Sequence, residues 1–408
     1  MNRDLGELTT HCIRCGFCLE ACPTFTETGS EMESPRGRIY LVRSAVEGKL
    51  RWHEDVQPHL DRCLGCRACE TACPSGVEYG AILELARDHL DRIRPNRPRQ
   101  MLLKVATTPA MMQAQTTFGR LLPGSRIPGF VSRMVSGDAP QVDKPQPQSR
   151  ADLPPVPAGI PPRGEVDLLE GCAMRVLFPR VHQATRRLLA RLGYSVRTAT
   201  GSCCGALHAH NGDLAGAQQR ARELIASLPG DRPIIINSAG CGSTIKEYGH
   251  LLDGDSNASE FARRAVDLSE FLLREGLTDR LGGATQLAGR RVTYHDACHL
   301  AHGQRVWQAP RDLIRAIPGI EFCELPEADT CCGSAGIYNL TQPAMARKLL
   351  DRKVRNIAET DAEIVALGNP GCHAWMAQGV RERFGNARIV LHTAELLEAA
   401  FSGVDAFR

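Results

Sequence analysis

Two short stretches decide the fold, CIRCGFCLEACP at residues 12–23 and CLGCRACETACP at residues 63–74. In each stretch two residues separate the first, second and third cysteines, three residues precede the fourth, and a proline follows it. We term them the first and second cysteine motifs; together they hold eight of the seventeen cysteines of the chain. Such a repeated run of closely spaced thiols predicts metal binding.

The spacing is that of proteins that bind 4Fe-4S clusters. Three thiolates that are two residues apart can bind three irons of one cube, while the fourth, displaced by three residues and a rigid proline, reaches the other cube. The motifs therefore predict two interlocked clusters, one on Cys12, Cys15, Cys18 and Cys73, the other on Cys63, Cys66, Cys69 and Cys22. Zinc sites and disulfides are weaker alternatives, because zinc sites use two separate CxxC pairs.

Composition excludes several classes of function. The formal net charge of +3 over 408 residues carries no overall nucleic-acid signature. The amino terminus has no apolar signal core, and we find no run of about eighteen apolar residues, so we expect neither a signal peptide nor a membrane span. Many cysteines without an export signal indicate a reducing cytoplasm, where thiols serve metal or redox chemistry.

Residues 1–94 are predicted to form a helical domain that carries both clusters. Forty residues separate the last cysteine of the first motif from the first cysteine of the second, and the apolar spacing predicts helices over 36–50 and 77–93. Arg36 and Arg38 could raise a cluster potential or dock an acidic partner, but solvated surface charges are the simpler interpretation.

Residues 95–164 combine a basic amphipathic segment with a proline-rich linker. From residue 92 to 136 there are seven arginines and no acidic residue, with many apolar side chains between them. This segment could lie on an anionic membrane surface, cover a partner subunit or pack on its own domain. Eight prolines among residues 137–164 then predict an extended linker.

The remainder alternates strands with helices and contains an internal duplication. Strands are predicted over 166–172, 194–200 and 233–241, and helices over 181–192 and 215–228. Corresponding cysteines recur at offsets of 126, 128, 128 and 131 residues. We therefore expect two doubly wound α/β repeats, the first over residues 165–288 and the second over 289–408.

Each repeat offers one cysteine, an adjacent pair followed by glycine, and one more cysteine: Cys172, Cys203, Cys204 and Cys241, then Cys298, Cys331, Cys332 and Cys372. We predict a further iron-sulfur cluster or a zinc ion on these thiols, against reduced structural thiols as the alternative. Five histidines lie near the cysteines of the repeats and are candidates for ligands, proton relays or structural roles: His208, His210, His295, His299 and His302. Cys323 has no counterpart and is predicted to be a small buried side chain.

The whole pattern resembles the iron-sulfur subunits that partner flavoprotein oxidases and reductases, most closely the glycolate oxidase iron-sulfur subunits of bacteria. The resemblance rests on SPRGRIYL (34–41), the second motif with its flanks (59–77), LEGCA (169–173), GCG and KEYG (240–249), and CCGSAG with Tyr338. Anaerobic glycerol-3-phosphate dehydrogenase, lactate-utilisation and heterodisulfide reductase subunits are similar. Heterodisulfide reductases end each repeat in CxxC; here Ser238 and Asn369 occupy the first of those positions, which argues against five-thiolate ligation.

The resemblance implies an electron-transfer subunit without catalytic residues of its own. Iron-sulfur cubes move single electrons, so a flavin must accept the two electrons of a hydroxy acid, and the resemblance places FAD on partner flavoprotein subunits. It implies oxidation of glycolate to glyoxylate, or of D-lactate to pyruvate, with a quinone or other acceptor and a peripheral position at the inner membrane. Alternatives are a lactate or glycerol-3-phosphate dehydrogenase subunit, a heterodisulfide-type thiol reductase, and a zinc-stabilised adaptor.

Overall fold

The computed structural model describes residues 4–114, 158–199, 203–282 and 287–402. Most of the proline-rich linker and the basic residues beyond 114 lie outside these ranges. The domain boundaries expected at residues 94, 164 and 288 stay predictions.

The amino-terminal part is helical, as predicted. Ser34 caps the helix Pro35–Val46 by accepting a hydrogen bond from the Gly37 amide, and a proline occupies its first turn. Its apolar stripe of Ile39, Val42 and Ala45 is buried. The helices of this part are Leu5–Thr10, Pro23–Thr28, Pro35–Val46, Gln57–Asp61, Ala68–Thr71, Tyr79–Ile93 and Arg97–Thr107, with a 3₁₀ turn at Glu31–Glu33 and a π-helical turn at Trp52–Val56.

Two four-stranded parallel sheets form the rest of the molecule, which confirms the duplicated α/β fold. The strands are β1 Gly164–Leu169, β2 Tyr194–Ala199, β3 Ile234–Ile236, β4 Ala265–Asp267, β5 Arg291–Tyr294, β6 Glu321–Glu324, β7 Ile364–Leu367 and β8 Ile389–His392. Their orders are β2-β1-β3-β4 and β6-β5-β7-β8. In each sheet the order reverses beside the first strand, and ligands of such folds bind outside the carboxyl ends of the strands at that point.

Helices cover both sheets. Those of the first repeat are Ala173–Leu177, Pro179–Arg191, Ala206–His210, Leu214–Ser227, Ala239–Lys246, Tyr248–Leu251, Ser256–Arg264 and Leu268–Arg274, with a 3₁₀ turn at Thr278–Arg280. Those of the second are Gln308–Arg315, Tyr338–Thr341, Pro343–Glu359, Pro370–Phe384 and Thr393–Ser402, with a π-helical turn at His299–Gly303. One apolar core contains side chains from both repeats, including Leu188, Phe271, Leu313 and Leu397.

Three predicted elements end at least three residues early: the helix over 36–50 ends at Val46, the strand over 166–172 ends at Leu169, and the strand over 233–241 differs most. We expected a strand over 233–241 that ends in Cys241, but β3 stops at Ile236 and Cys241 lies in the first turn of the helix Ala239–Lys246. The Ala239 amide donates to the Gly368 carbonyl of the other repeat at 3.1 Å, so the chain turns away from the sheet. Cys372 likewise lies in a helix, Pro370–Phe384.

The described part of the basic segment packs on its own protein. Leu103 and Met112 are buried and contact Val176 and Ile337, one from each repeat. Arg99 pairs with Asp91 at 3.0 Å. None of the described helices is long and apolar enough to cross a membrane.

Candidate iron-sulfur centres

The first group of thiols lies near the surface of the helical domain. Cys12, Cys15, Cys18 and Cys73 line one small cavity together with Cys69, so cysteines of the second motif lie beside three from the first. Cys15 is exposed, and its neighbours Ile13 and Phe17 are each 69% exposed. The motif runs through a loop in which Gly16 has φ 92°, and a Cβ there would lie 2.7 Å from Nη1 of Arg36.

The second group lies deeper. Cys22, Cys63 and Cys69 are buried, and Cys66 is half-buried. Burial raises the pKa of the Cys69 thiol well above its usual value, and the neighbouring Cys66, Cys63 and Cys22 raise it further. The structure thus brings the last cysteine of the first motif, at the start of the helix Pro23–Thr28, beside three cysteines of the second.

Positive charge surrounds this second group. Burial alone would raise the pKa of Cys63, but the guanidinium groups of Arg38 and Arg87 hold it below its usual value. The Tyr79 hydroxyl donates to the Cys63 sulfur at 3.5 Å. Sequence reasoning missed Arg87 and Tyr79, because neither lies in a cysteine motif.

The surface interpretation of Arg38 was wrong. Its side chain is 1% exposed and donates to Glu33 at 2.9 Å, to Thr24 at 3.0 Å and to the His59 carbonyl at 2.8 Å. Nη1 lies 4.0 Å from the sulfur of Cys22. Arg36, in contrast, is partly exposed and pairs with Glu31 at 2.7 Å.

The donor chemistry fits two 4Fe-4S clusters. All eight cysteines of the two motifs are free thiols. At each of two places thiols from both motifs lie together, and the eight thiols supply the four ligands that each of two 4Fe-4S cubes needs. Burial raises the pKa of Cys66 and Cys69, so these thiols keep their protons unless a cation such as cluster iron binds them as thiolates.

A third site lies where the two repeats meet the second motif. A cavity of about 520 Å³ opens at the carboxyl ends of the first strands of both sheets. Cys63 lines it together with seven cysteines of the repeats: Cys172, Cys203, Cys204, Cys241, Cys298, Cys331 and Cys372. Cys332 is fully buried. The duplicated fold therefore places thiols of both repeats around the same cavity.

Within each repeat the four thiols form a row of close neighbours. Cys203 interacts with Cys172 and Cys204, and Cys204 interacts with Cys241. In the second repeat Cys331 interacts with Cys298 and Cys332, and Cys332 interacts with Cys372. All eight cysteines of the repeats thus belong to two equivalent rows.

The two residues that replace a CxxC cysteine contact the cysteine three positions later. Nδ2 of Asn369 donates to the Cys372 sulfur at 3.4 Å. The Ser238 hydroxyl donates to Cys241 and contributes to lowering the pKa of that thiol. The contact at each position is therefore a hydrogen bond to a sulfur, where a fifth cysteine would supply a thiolate.

The second motif joins the two cluster regions to the repeats. Cys66 packs in one apolar cluster with Cys298 and Cys331. The Tyr338 hydroxyl donates to the Arg62 carbonyl at 2.9 Å, and Nη1 of Arg87 donates to the His210 carbonyl at 2.6 Å. Free thiols therefore follow one another from the exposed Cys15 to the cavity between the repeats.

Four of the five candidate histidines have protein partners. His299 donates to the Gly65 carbonyl at 2.9 Å, and burial, with His210 nearby, lowers its pKa to about 3. His208 contacts Asp213 at 2.7 Å, His210 contacts Glu84 at 2.8 Å, and His302 contacts Thr71 at 3.0 Å. These contacts favour structural roles for the four.

Cys323 stands apart from all three sites. It lies in β6, where its thiol is within 3.6 Å of the Val292 and Thr360 carbonyls, and it is partly and not fully buried.

Comparison with known proteins agrees with this geometry. A family model described as a 4Fe-4S dicluster domain matches residues 9–77, and a model described as a cysteine-rich domain matches twice, over 166–246 and 292–377. The chain is 36% identical to the probable glycolate oxidase iron-sulfur subunit of Bacillus subtilis (strain 168), over 97% of this chain and 95% of that protein. It is 36% identical to the glycolate oxidase iron-sulfur subunit of Escherichia coli (strain K12), over 95% and 93% respectively. Lactate utilization protein A of Oceanobacillus iheyensis is 29% identical over 59% of this chain and 98% of its own length.

Proposed function

The chain belongs to the family of glycolate oxidase iron-sulfur subunits, and we propose that it carries electrons from a flavoprotein partner that oxidises glycolate to glyoxylate. The oxidation of a hydroxy acid releases two electrons, whereas 4Fe-4S clusters accept one each. A flavin on the partner accepts both electrons and passes them to the clusters one at a time. D-lactate is the second substrate class that this arrangement accommodates. The observation that carries the proposal is the run of free thiols from the exposed Cys15 to the cavity between the repeats.

The proposed ligand sets follow the two groups of thiols. Cys12, Cys15, Cys18 and Cys73 hold the first cluster, and Cys63, Cys66, Cys69 and Cys22 hold the second. Arg38 and Arg87 offset the negative charge that the second cluster acquires on reduction. The cysteine rows of the two repeats are the candidate ligands of a further cluster or of zinc.

Electrons enter at the first cluster and leave from the repeats. An exposed cysteine between the exposed side chains of Ile13 and Phe17 supports entry there, because a flavoprotein must approach the cluster closely. The second cluster is enclosed by protein and passes electrons on toward the cavity. The acceptor is a quinone or another carrier.

The complex is proposed to be cytoplasmic and held peripherally at the inner membrane. The basic, apolar residues between 115 and 136 support this position by composition, although they could equally cover a partner subunit. Within residues 97–112, Leu103, Ala106 and Met112 pack against both repeats and leave Met101 as the exposed large apolar side chain.

An anaerobic optical titration tests the substrate. The chain is combined with its flavoprotein partner, and glycolate, D-lactate or glycerol 3-phosphate is added in separate samples. We expect glycolate to bleach the visible absorbance of the clusters at substoichiometric flavin, and the chain without the flavoprotein to stay oxidised. Bleaching by glycerol 3-phosphate but not by glycolate would overturn the proposal.

A further inference from the structure

The fifth candidate histidine, His295, differs from the other four. It follows β5 directly, its side chain is fully buried, and its amide donates to the Ala366 carbonyl at 2.9 Å. Neither ring nitrogen makes a hydrogen bond within the described residues. Burial, with the Lys353 ammonium group nearby, lowers the pKa of this imidazole well below its usual value, so the ring is neutral. A buried imidazole without partners is costly unless something else binds it.

Two thiols face this imidazole. One ligand atom each of His295, Cys332 and Cys372 lies within 4.8 Å of the other two. The two cysteines are buried as well, at 0% and 4% exposure. They come from two different segments, the turn after β6 and the helix Pro370–Phe384, so the fold and not local sequence brings them together.

Ligand spacing distinguishes a single ion from a cube. With Zn–S of about 2.3 Å and Zn–N of about 2.0 Å, tetrahedral ligands lie roughly 3.4–3.8 Å from one another. Terminal ligands of a cube bind different irons and stand further apart. The three ligand atoms of the second repeat lie within 4.8 Å of one another, close enough to converge on one ion when their side chains shift by about an ångström. The imidazole distinguishes this group from the thiol row of the first repeat, and one imidazole with two thiolates suits zinc.

We propose that His295, Cys332 and Cys372 bind one zinc ion in the second repeat. The proposal rests on the proposed function, which gives the repeat cysteines to a further cluster or to zinc, and it decides for zinc in the second repeat, where an ion without redox chemistry serves the fold and not electron transfer. The ion instead ties the end of β5 to the turn after β6 and to the helix that follows β7. The proposed zinc site uses residues of this chain alone and does not depend on which hydroxy acid the partner oxidises.

The surroundings of the three ligands support bound thiolates. Lys353 is 1% exposed, and Nζ donates to the carbonyls of Glu327 and Ala328. Its ammonium group acts on Cys332 and Cys331, so it offsets negative charge on these sulfurs. Asn369 donates to the Cys372 sulfur and orients it.

The first repeat provides an internal control. The position that corresponds to His295 at the 126-residue offset is Leu169, an apolar core side chain at the end of β1. The first repeat therefore has the row of four thiols without the imidazole. Only the second repeat is expected to bind zinc in this way.

Metal analysis with X-ray absorption tests the site. Zinc and iron per chain are measured on the anaerobically purified full-length protein, and the zinc K-edge spectrum is recorded, which the iron does not obscure. We expect about one zinc per chain, with two or three sulfur neighbours at about 2.3 Å and one imidazole nitrogen at about 2.0 Å. The His295→Ala variant should lose at least four-fifths of the zinc and keep the iron bound by the two cysteine motifs. The Leu169→Ala variant should keep the zinc.

A second variant guards against loss of folding. His295→Cys supplies another zinc ligand, so it should retain zinc with a spectrum in which sulfur replaces the nitrogen. Zinc below about one-tenth per chain in the wild-type protein would overturn the proposal. So would a wild-type spectrum without imidazole scattering, or loss of iron instead of zinc in both His295 variants.

Discussion

Arg38 places a fixed positive charge beside the second cluster site. Its guanidinium is enclosed by protein, pairs with the buried Glu33 and approaches the sulfur of Cys22. Glu33 also contacts Arg62 and His59, so the carboxylate does not depend on Arg38 alone. A nearby cation stabilises the reduced cluster, which carries one more negative charge, and should raise its reduction potential.

Arg38→Met should lower the potential of the second cluster by about 100 mV. A unit charge about 7 Å away, at an effective dielectric constant of about 20, contributes roughly 2.4 kcal/mol, and about 2.3 kcal/mol corresponds to 100 mV for one electron. Redox titration followed by electron paramagnetic resonance measures the shift. The potential of the first cluster is the internal reference.

Arg38→Lys is the matched control, because it retains the charge and should shift the potential much less. Equal shifts in the two variants would show that packing, and not charge, sets the potential. An unchanged potential in Arg38→Met would remove the electrostatic role altogether.

At the scale of single elements, the loop of the first cysteine motif forms the exposed end of the electron path. Ile13 and Phe17 flank Cys15, and both are mostly exposed. Large apolar side chains beside a redox centre near the surface are typical of a docking surface. On its protein side the loop contacts the helix Pro35–Val46, where Nη1 of Arg36 donates to the Arg14 carbonyl at 3.2 Å.

Phe17→Glu should slow reduction by the flavoprotein at least tenfold and leave chemical reduction by dithionite unchanged. The substitution puts a charge into an apolar contact, which costs binding energy without touching a ligand. Stopped-flow absorbance at saturating glycolate gives both rates. Trp307→Glu, which alters an exposed aromatic residue of the second repeat, is the control and should leave both rates unchanged. Equal slowing in both variants would contradict docking at this loop.

The strongly patterned elements could be predicted from the sequence, because their signals are local. The helix Pro35–Val46 carries its own cap and apolar stripe, and the long helix Tyr79–Ile93 lies within two residues of the prediction. The end of β3 could not be predicted in this way. Three isoleucines continue into small residues, and the chain turns into a helix where the Ala239 and Gly240 amides donate to Gly368 and Asn369 of the other repeat.

At the scale of the whole molecule, the duplication and both thiol sets were visible in the spacing of the cysteines. The position of the second motif between the repeats could not be predicted from that spacing. It rests on contacts between residues more than one hundred positions apart, such as Tyr338 with Arg62 and His299 with Gly65. The burial of Arg38 was hidden for the same reason, since an arginine beside a helix start has no local signal for a buried partner.

The interlocked pair of clusters is the central feature of the proposed electron path, and spectra of single-cysteine variants test it most directly. Cys73→Ser, Cys12→Ser and Cys69→Ser are compared by electron paramagnetic resonance of the reduced protein. If the last cysteine of each motif binds the cluster of the other motif, Cys73→Ser and Cys12→Ser damage the same cluster. Their remaining signals should then be alike and should differ from that of Cys69→Ser. A Cys73→Ser spectrum that matches Cys69→Ser would contradict the interlocked arrangement.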